Sequence, residues 1–148
     1  MFLGEYAHNI DDKGRLTLPA RWREELGQRV VVTRGMETCL MVFPAAKFET
    51  FLNEINTVGM TAADARGLSR FFSSKATDDE LDKQGRVSLP QNLREFAHLN
   101  GEVLVVGAFD HIELWTPAQY TTWDEELVKN IPDMSERVNQ ALQRLRTR

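Results

Sequence analysis

The chain has one cysteine in 148 residues, Cys39, and a single thiol excludes any disulfide within it. Long apolar runs are also missing. The longest, Val-Leu-Val-Val-Gly-Ala-Phe at residues 103–109, is far too short to span a bilayer. The opening Met-Phe-Leu-Gly-Glu-Tyr has neither a basic segment leading an apolar run nor a cleavage site, so a soluble cytosolic protein is expected. Basic charge is not in excess either. The 18 Lys and Arg against 22 Asp and Glu give a net charge of −4, which argues against a general nucleic-acid coat, because non-specific affinity grows with the phosphates neutralised. A local basic patch is still compatible with that balance.

Chemistry-bearing residues are few and scattered. His8, His98 and His111 lie on different segments without metal-ligand spacing, and each reads as a surface or packed histidine. Cys39 sits in Cys-Leu-Met-Val-Phe and reads as a buried, inert thiol. The acids Asp11-Asp12 and Asp78-Asp79-Glu80 have no general-base partner beside them and read as solvated turn carboxylates. No phosphate-binding glycine loop is present. An enzyme, a bound metal or cofactor, and a small-molecule substrate are therefore not expected. With 42% hydrophobic and 27% charged residues, the chain can build one shared core or two small intertwined ones.

What the chain does contain is a repeat. Residues 10–24 read Ile-Asp-Asp-Lys-Gly-Arg-Leu-Thr-Leu-Pro-Ala-Arg-Trp-Arg-Glu, and residues 81–95 read Leu-Asp-Lys-Gln-Gly-Arg-Val-Ser-Leu-Pro-Gln-Asn-Leu-Arg-Glu. Seven of the fifteen positions are identical (Asp11/Asp82, Gly14/Gly85, Arg15/Arg86, Leu18/Leu89, Pro19/Pro90, Arg23/Arg94, Glu24/Glu95), where composition alone gives roughly one. The correspondence continues downstream: Val30-Val-Val-Thr33 matches Glu102-Val-Leu-Val105, and Leu40-Met-Val-Phe43 matches Ile112-Glu-Leu-Trp115. The chain is a tandem duplication.

Each half reads as strand, short helix, strand, strand, longer helix, which is an α+β pattern. Leu16-Thr-Leu18 and Val87-Ser-Leu89 alternate as half-buried strands do. Pro19 and Pro90 stop them and suit the first position of a helix. Those short helices end near Gly27 and Asn100-Gly101, and hairpins turn near residues 34–37 and 109–111. Residues 45–55 place Phe48, Phe51, Leu52 and Ile55 on one face, and residues 117–128 place Tyr120, Trp123, Leu127 and Val128 likewise. A linking helix is expected over residues 61–75, opened by Thr61. After Pro132, residues 133–148 read as a last helix with Met134, Val138, Ala141, Leu142 and Leu145 on one side and Arg137, Arg144, Arg146 and Arg148 on the other. That helix is expected to serve oligomer contact with a solvated basic face, or to contact DNA as an auxiliary tail. Three short strands leave too many open edges to stand alone. Interleaving the two sets of hairpins into a closed barrel removes those edges. The implied domains are 1–56, a helical connector 57–76, 77–128 and a tail 129–148.

The repeated turn holds the informative chemistry. Asp11 and Asp82 can cap it and Gly14 and Gly85 can supply a positive φ, but nothing in turn chemistry requires Arg15 and Arg86 after both glycines. An Arg held by a nearby carboxylate presents a planar fork suited to phosphate or guanine. Asp11 and Asp82 would orient Arg15 and Arg86, while Lys13, Lys83, Arg21 and Arg23 suit phosphate contact. Arg94 reads instead as an ion-pair partner for Glu24 or Glu95.

With these residues in view, the sequence resembles the MraZ family of bacterial transcriptional regulators, whose hallmark is two Asp-x-x-x-Arg motifs in AbrB-like swapped-hairpin modules. Both motifs are intact, Asp11 with Arg15 and Asp82 with Arg86. The resemblance runs from Met1 to about Trp123. It implies two βαββα units interleaved into a double-psi-like barrel with flanking helices, and sequence-specific binding of double-stranded DNA at repeated promoter elements. It also implies repression of the protein's own operon in the division and cell-wall gene cluster, a nucleoid-associated cytoplasmic location, and ring-shaped homo-oligomers. Site residues carried by the resemblance and the chemistry together are Arg15, Arg86, Lys13, Lys83, Gly14, Gly85 and Arg21. An AbrB-like antitoxin-type module that binds DNA and a protein partner is the competing reading.

Overall fold

The computed structural model describes residues 1–57 and 61–148; residues 58–60, part of the expected connector, lie outside the described residues. Two compact units emerge, Met1–Pro117 and Ala118–Arg148. In the first, the elements run β1 (Glu5–Asn9), β2 (Arg15–Thr17), a 3-10 turn (Ala20–Trp22), α1 (Arg23–Leu26), β3 (Arg29–Arg34), β4 (Leu40–Pro44), α2 (Ala45–Ile55), α3 (Ala62–Ser73), β5 (Thr77–Glu80), β6 (Arg86–Ser88), α4 (Gln91–Phe96), β7 (Glu102–Gly107) and β8 (Ile112–Trp115). The second unit consists almost wholly of α5 (Pro117–Arg146). The fold is α+β with antiparallel strand pairing.

Strand order carries the duplication into three dimensions. One sheet runs β1-β7-β8-β4-β3-β5 and a two-stranded ribbon pairs β2 with β6. Neighbours therefore come from both halves: β1 of the first half pairs with β7 of the second, and β5 of the second pairs with β3 of the first. The registers expose a local two-fold axis. In the ribbon, Arg15 faces Ser88, Leu16 faces Val87 and Thr17 faces Arg86. Where β4 meets β8, Leu40 faces Leu114, Met41 faces Glu113 and Val42 faces Ile112. The central partners, Leu16 with Val87 and Met41 with Glu113, occupy equivalent places in the repeat, and the outer partners exchange under it. Among the described strands, β1 and β5 remain edges, so the hydrogen-bonded ladders form an open sheet plus a ribbon.

Burial follows this pairing. One core cluster gathers Leu16, Leu18, Val30, Val32, Leu40 and Val42 from the first half with Val87, Leu89, Val103, Val105, Ile112 and Leu114 from the second. A second cluster joins Met41, Phe43, Ile55 and Phe72, with Phe48, Phe51 and Leu68 packed against it. Strand β4 supplies both: alternate residues point to opposite faces, and both faces are covered. That explains why residues 39–43 are apolar without alternation. Thr61 opens α3, its hydroxyl accepting the Asp64 N–H at 3.1 Å, so this helix start was legible in the sequence.

Three local expectations are corrected. Strands β1 and β5 were missed, because Glu5-Tyr-Ala-His-Asn9 and Thr77-Asp-Asp-Glu80 carry no run of apolar alternation and depend on pairing with the other half. Pro19 and Pro90 sit at the cap position before their helical turns, one residue earlier than expected. Pro132 lies inside α5 and does not end it. A proline removes one i to i−4 bond, and the Glu, Leu, Lys, Gln and Arg on either side are strong enough helix formers to carry the helix through.

Truncating a side chain on the local axis should be felt by both halves. Leu16 is fully buried, and Leu16→Ala is expected to cost about 2–5 kcal/mol in urea unfolding while keeping a single cooperative transition. Two separated transitions would contradict one shared core.

Candidate nucleic-acid interface

Each repeated turn is closed by its own backbone. The Asp11 N–H donates to the Arg15 carbonyl at 2.9 Å and the Gly14 N–H to the Asp11 carbonyl at 3.0 Å; the second turn repeats both bonds, Asp82 to Arg86 at 3.1 Å and Gly85 to Asp82 at 2.9 Å. Gly14 and Gly85 close the turns at φ of 76° and 74°, a left-handed region costly for residues with a Cβ.

The aspartates organise the turns and the arginines together. Asp11 Oδ1 accepts the Lys13 and Arg15 backbone N–H groups at 2.9 and 2.8 Å, and Oδ2 accepts Arg15 Nε at 2.7 Å. Asp82 does the same with Gln84, Arg86 and Arg86 Nε at 2.9, 2.9 and 2.6 Å. The Arg15 backbone N–H, outweighing desolvation with help from the Arg15 side chain and the Lys13 N–H, holds Asp11 below the usual carboxylate range. Arg86 and Gln84 do the same for Asp82. Asp-x-x-x-Arg spacing is thus a geometric requirement: one carboxylate both pins the turn and fixes the rotamer of the Arg that leaves it.

The two turns meet. Arg86 Nη1 lies 3.9 Å from Asp11 Oδ2, so both Asp–Arg pairs form one patch across the β2–β6 ribbon. The arginine side chains are 29% and 26% exposed, enough to reach a ligand from a fixed base. They are not equivalent. Arg86 Nη2 also donates to Gln84 Oε1 at 3.4 Å, whereas the described residues engage the Arg15 guanidinium only through Nε. Lys13 and Lys83 lie exposed on the two turns, giving the patch its surplus positive charge. Arg21 is held elsewhere: it donates to the Tyr6 hydroxyl at 2.6 Å and lies over that ring.

Sequence reasoning missed the roles of Arg23 and Arg94. Arg94, expected to pair with Glu24 or Glu95, donates from Nε to the Leu89 carbonyl at 2.9 Å. Its guanidinium lies against the opposite half's turn, where a Cβ on Gly14 would sit 3.2 Å from Arg94 Cζ. Arg23 takes the matching place over Gly85. The backbone repeats the exchange, Leu89 N–H donating to the Gly14 carbonyl at 2.9 Å and Leu18 N–H to the Gly85 carbonyl at 3.0 Å. The identity of Arg23 and Arg94 in the repeat was the available signal, but their partners are remote in sequence.

Away from the turns, Cys39 and His111 are packed. Cys39 is buried, and burial pushes its thiol well above the usual range. His111 lies between Asp110 and Glu113, at 2.8 and 3.1 Å, and stacks on Phe43. Among the described residues no helix is long and apolar enough to cross a membrane.

Two outcomes follow from the turn geometry. Gly14→Ala is expected to cost roughly 1–2 kcal/mol for the left-handed backbone alone, plus the displacement of Arg94; an unchanged urea midpoint would refute the packing. The carboxyls of Asp11 and Asp82 are depressed in the folded state, so their stabilisation is complete above the unfolded value of about 3.9 and is lost as pH falls through the folded value. Removing both charges (Asp11→Asn with Asp82→Asn) should flatten the acid limb of the stability profile below about pH 4. Identical limbs would contradict the assignment.

The family model described as "MraZ protein, putative antitoxin-like" matches residues 1–71 and again 72–144. Curated relatives named "Transcriptional regulator MraZ" are similar over most of the chain. The Desulforamulus reducens protein is 45% identical over 141 residues, 90% of this chain and 99% of that one. The Moorella thermoacetica protein is 45% identical over 138 residues, covering 93% and 96%. The Halothermothrix orenii protein is 46% identical over 120 residues, covering 81% and 84%. With two tandem matches and relatives at this identity and coverage, the chain belongs to the MraZ family.

Proposed function

We propose that this protein is a transcriptional regulator that binds double-stranded DNA through the composite patch of Arg15 and Arg86. The carrying observation is the 3.9 Å approach of Arg86 to Asp11, which joins two pre-oriented arginines into one surface. Each guanidinium suits two parallel hydrogen bonds to guanine or phosphate. Gly14 and Gly85 let the backbone approach the duplex, Lys13 and Lys83 add phosphate contacts, and Arg21, held by Tyr6, adds a peripheral one. The aspartates hold the arginines ready and neutralise part of their charge, limiting non-specific affinity.

The reading extends to what the family implies. The strand exchange between the halves supports two AbrB-like modules, residues 1–56 and 77–128, joined through 57–76 into a swapped-hairpin barrel with a tail at 129–148. Several such barrels in a homo-oligomeric ring would act on repeated promoter elements upstream of the protein's own operon, in the division and cell-wall gene cluster. The outcome is repression, in the cytoplasm at the nucleoid. An acidic chain with few phosphate contacts per barrel gains affinity by avidity when site spacing matches the assembly. The "antitoxin-like" wording of the family model favours one alternative, a module that also holds a protein partner. Stoichiometric co-purification of a toxin-like protein would support it.

Salt-titrated binding to the upstream region tests the site. Arg15→Ala and Arg86→Ala should each weaken specific binding by roughly 1–3 kcal/mol with the fold intact. Arg15 is expected to lose more, because the described residues engage its fork only at Nε. Unaltered binding in the double variant would refute the assignment.

A further inference from the structure

Helix α5 carries a second periodicity. Val128, Ile131, Ser135, Val138, Leu142 and Leu145 follow one another at intervals of three, four, three, four and three residues, the spacing of a two-helix seam. The five apolar members are exposed, at 60, 44, 55, 40 and 64% for Val128, Ile131, Val138, Leu142 and Leu145. A contiguous stripe of that kind on a water-facing helix marks an interaction surface.

Charge on the same helix selects the partner's direction. Asp124, Glu125 and Glu126 lie toward its start, Arg144 and Arg146 in its last turn, and Arg148 just beyond it. A parallel copy would gather the arginine ends together; an antiparallel copy sets each arginine end against an acidic one. The antiparallel register that places Val128 opposite Leu145 also places Ile131 opposite Leu142 and Ser135 opposite Val138. Its flanking positions then bring Glu125 of one chain beside Arg146 of the other, and the two-fold operation makes every contact twice. Apolar seam and ion pairs agree on a single register.

We propose that residues 128–145 of α5 pair antiparallel with the same segment of a second copy of this chain. The proposal rests on the homo-oligomeric reading above and names the surface by which two copies join; being two-fold, it pairs copies, and a ring requires a second, different interface. Ser135 is the polar seam position, where mismatched registers would set a hydroxyl against a larger apolar layer.

The test uses the full chain, with buried Cys39 retained and the wild type as background. Glu125→Cys and Arg146→Cys are introduced together and treated with a short bis-maleimide. The two thiols lie about 32 Å apart along one helix, beyond the reagent within a chain. Covalent dimers are expected from the double variant and none from either single one. Cross-linking of a single variant to itself, or none in the double variant, overturns the proposal. Independently, Val138→Asp with Leu142→Asp should at least halve the mass in sedimentation equilibrium without loss of helical circular dichroism, and an unchanged mass overturns the proposal. If the wild-type chain assembles but the double variant gives no 125–146 cross-link, the interface is wrong and the oligomeric reading survives. A wild-type monomer at every concentration overturns both.

Discussion

The reciprocal contact between each Asp–Gly–Arg turn and the opposite half of the chain is the constraint on which the site depends. The Gly14 carbonyl accepts from Leu89 and the Gly85 carbonyl from Leu18, and each glycine lies under the guanidinium of the other half's Arg94 or Arg23. A side chain at either glycine would push away the arginine that covers it. Each turn is thus braced by the other half, so assembly of the Asp–Arg patch is coupled to formation of the shared core. The two arginines consequently project from one base, which leaves little conformational entropy to lose in the proposed binding.

The same exchange explains the core. A half of three or four short strands would leave apolar faces and open edges in water. Interleaving the strands of both halves in one sheet pairs β4 with β8 on the local axis, so that neither leaves an open edge there. The symmetry is not complete, and some departures fall at the candidate site. Asp12-Lys13 in the first turn is answered by Lys83-Gln84 in the second, and Gln84 takes a hydrogen bond from Arg86 that has no counterpart at Arg15 among the described residues. A duplicated unit freed from strict symmetry can tune its two arginines separately, which suits a duplex whose two halves differ.

Much of this was legible in the residues because it is local. Turn closure by Asp11 and Gly14, the Thr61 cap and the apolar face of residues 45–55 each depend on neighbours within a few positions. The repeat added one non-local inference, that the halves must share a sheet. What escaped was set by distant partners: polar strands β1 and β5 exist through pairing with β7 and β3, and Arg94 is held over Gly14, eighty positions away. Pro132 misled because its cost is fixed while the support of the surrounding helix is distributed over many residues.

Cross-half support of the turns is the central claim, and a double-mutant cycle tests it directly. Specific DNA affinity is measured for Arg94→Ala alone and combined with Arg15→Ala or with Arg86→Ala. The coupling of Arg94 with Arg15 is expected to reach about 0.5–3 kcal/mol and to exceed its coupling with Arg86, since Arg94 covers the turn that bears Arg15. A larger coupling with Arg86 would mean that each half supports its own turn, and equal couplings would mean that Arg94 favours neither turn; either result would contradict the account.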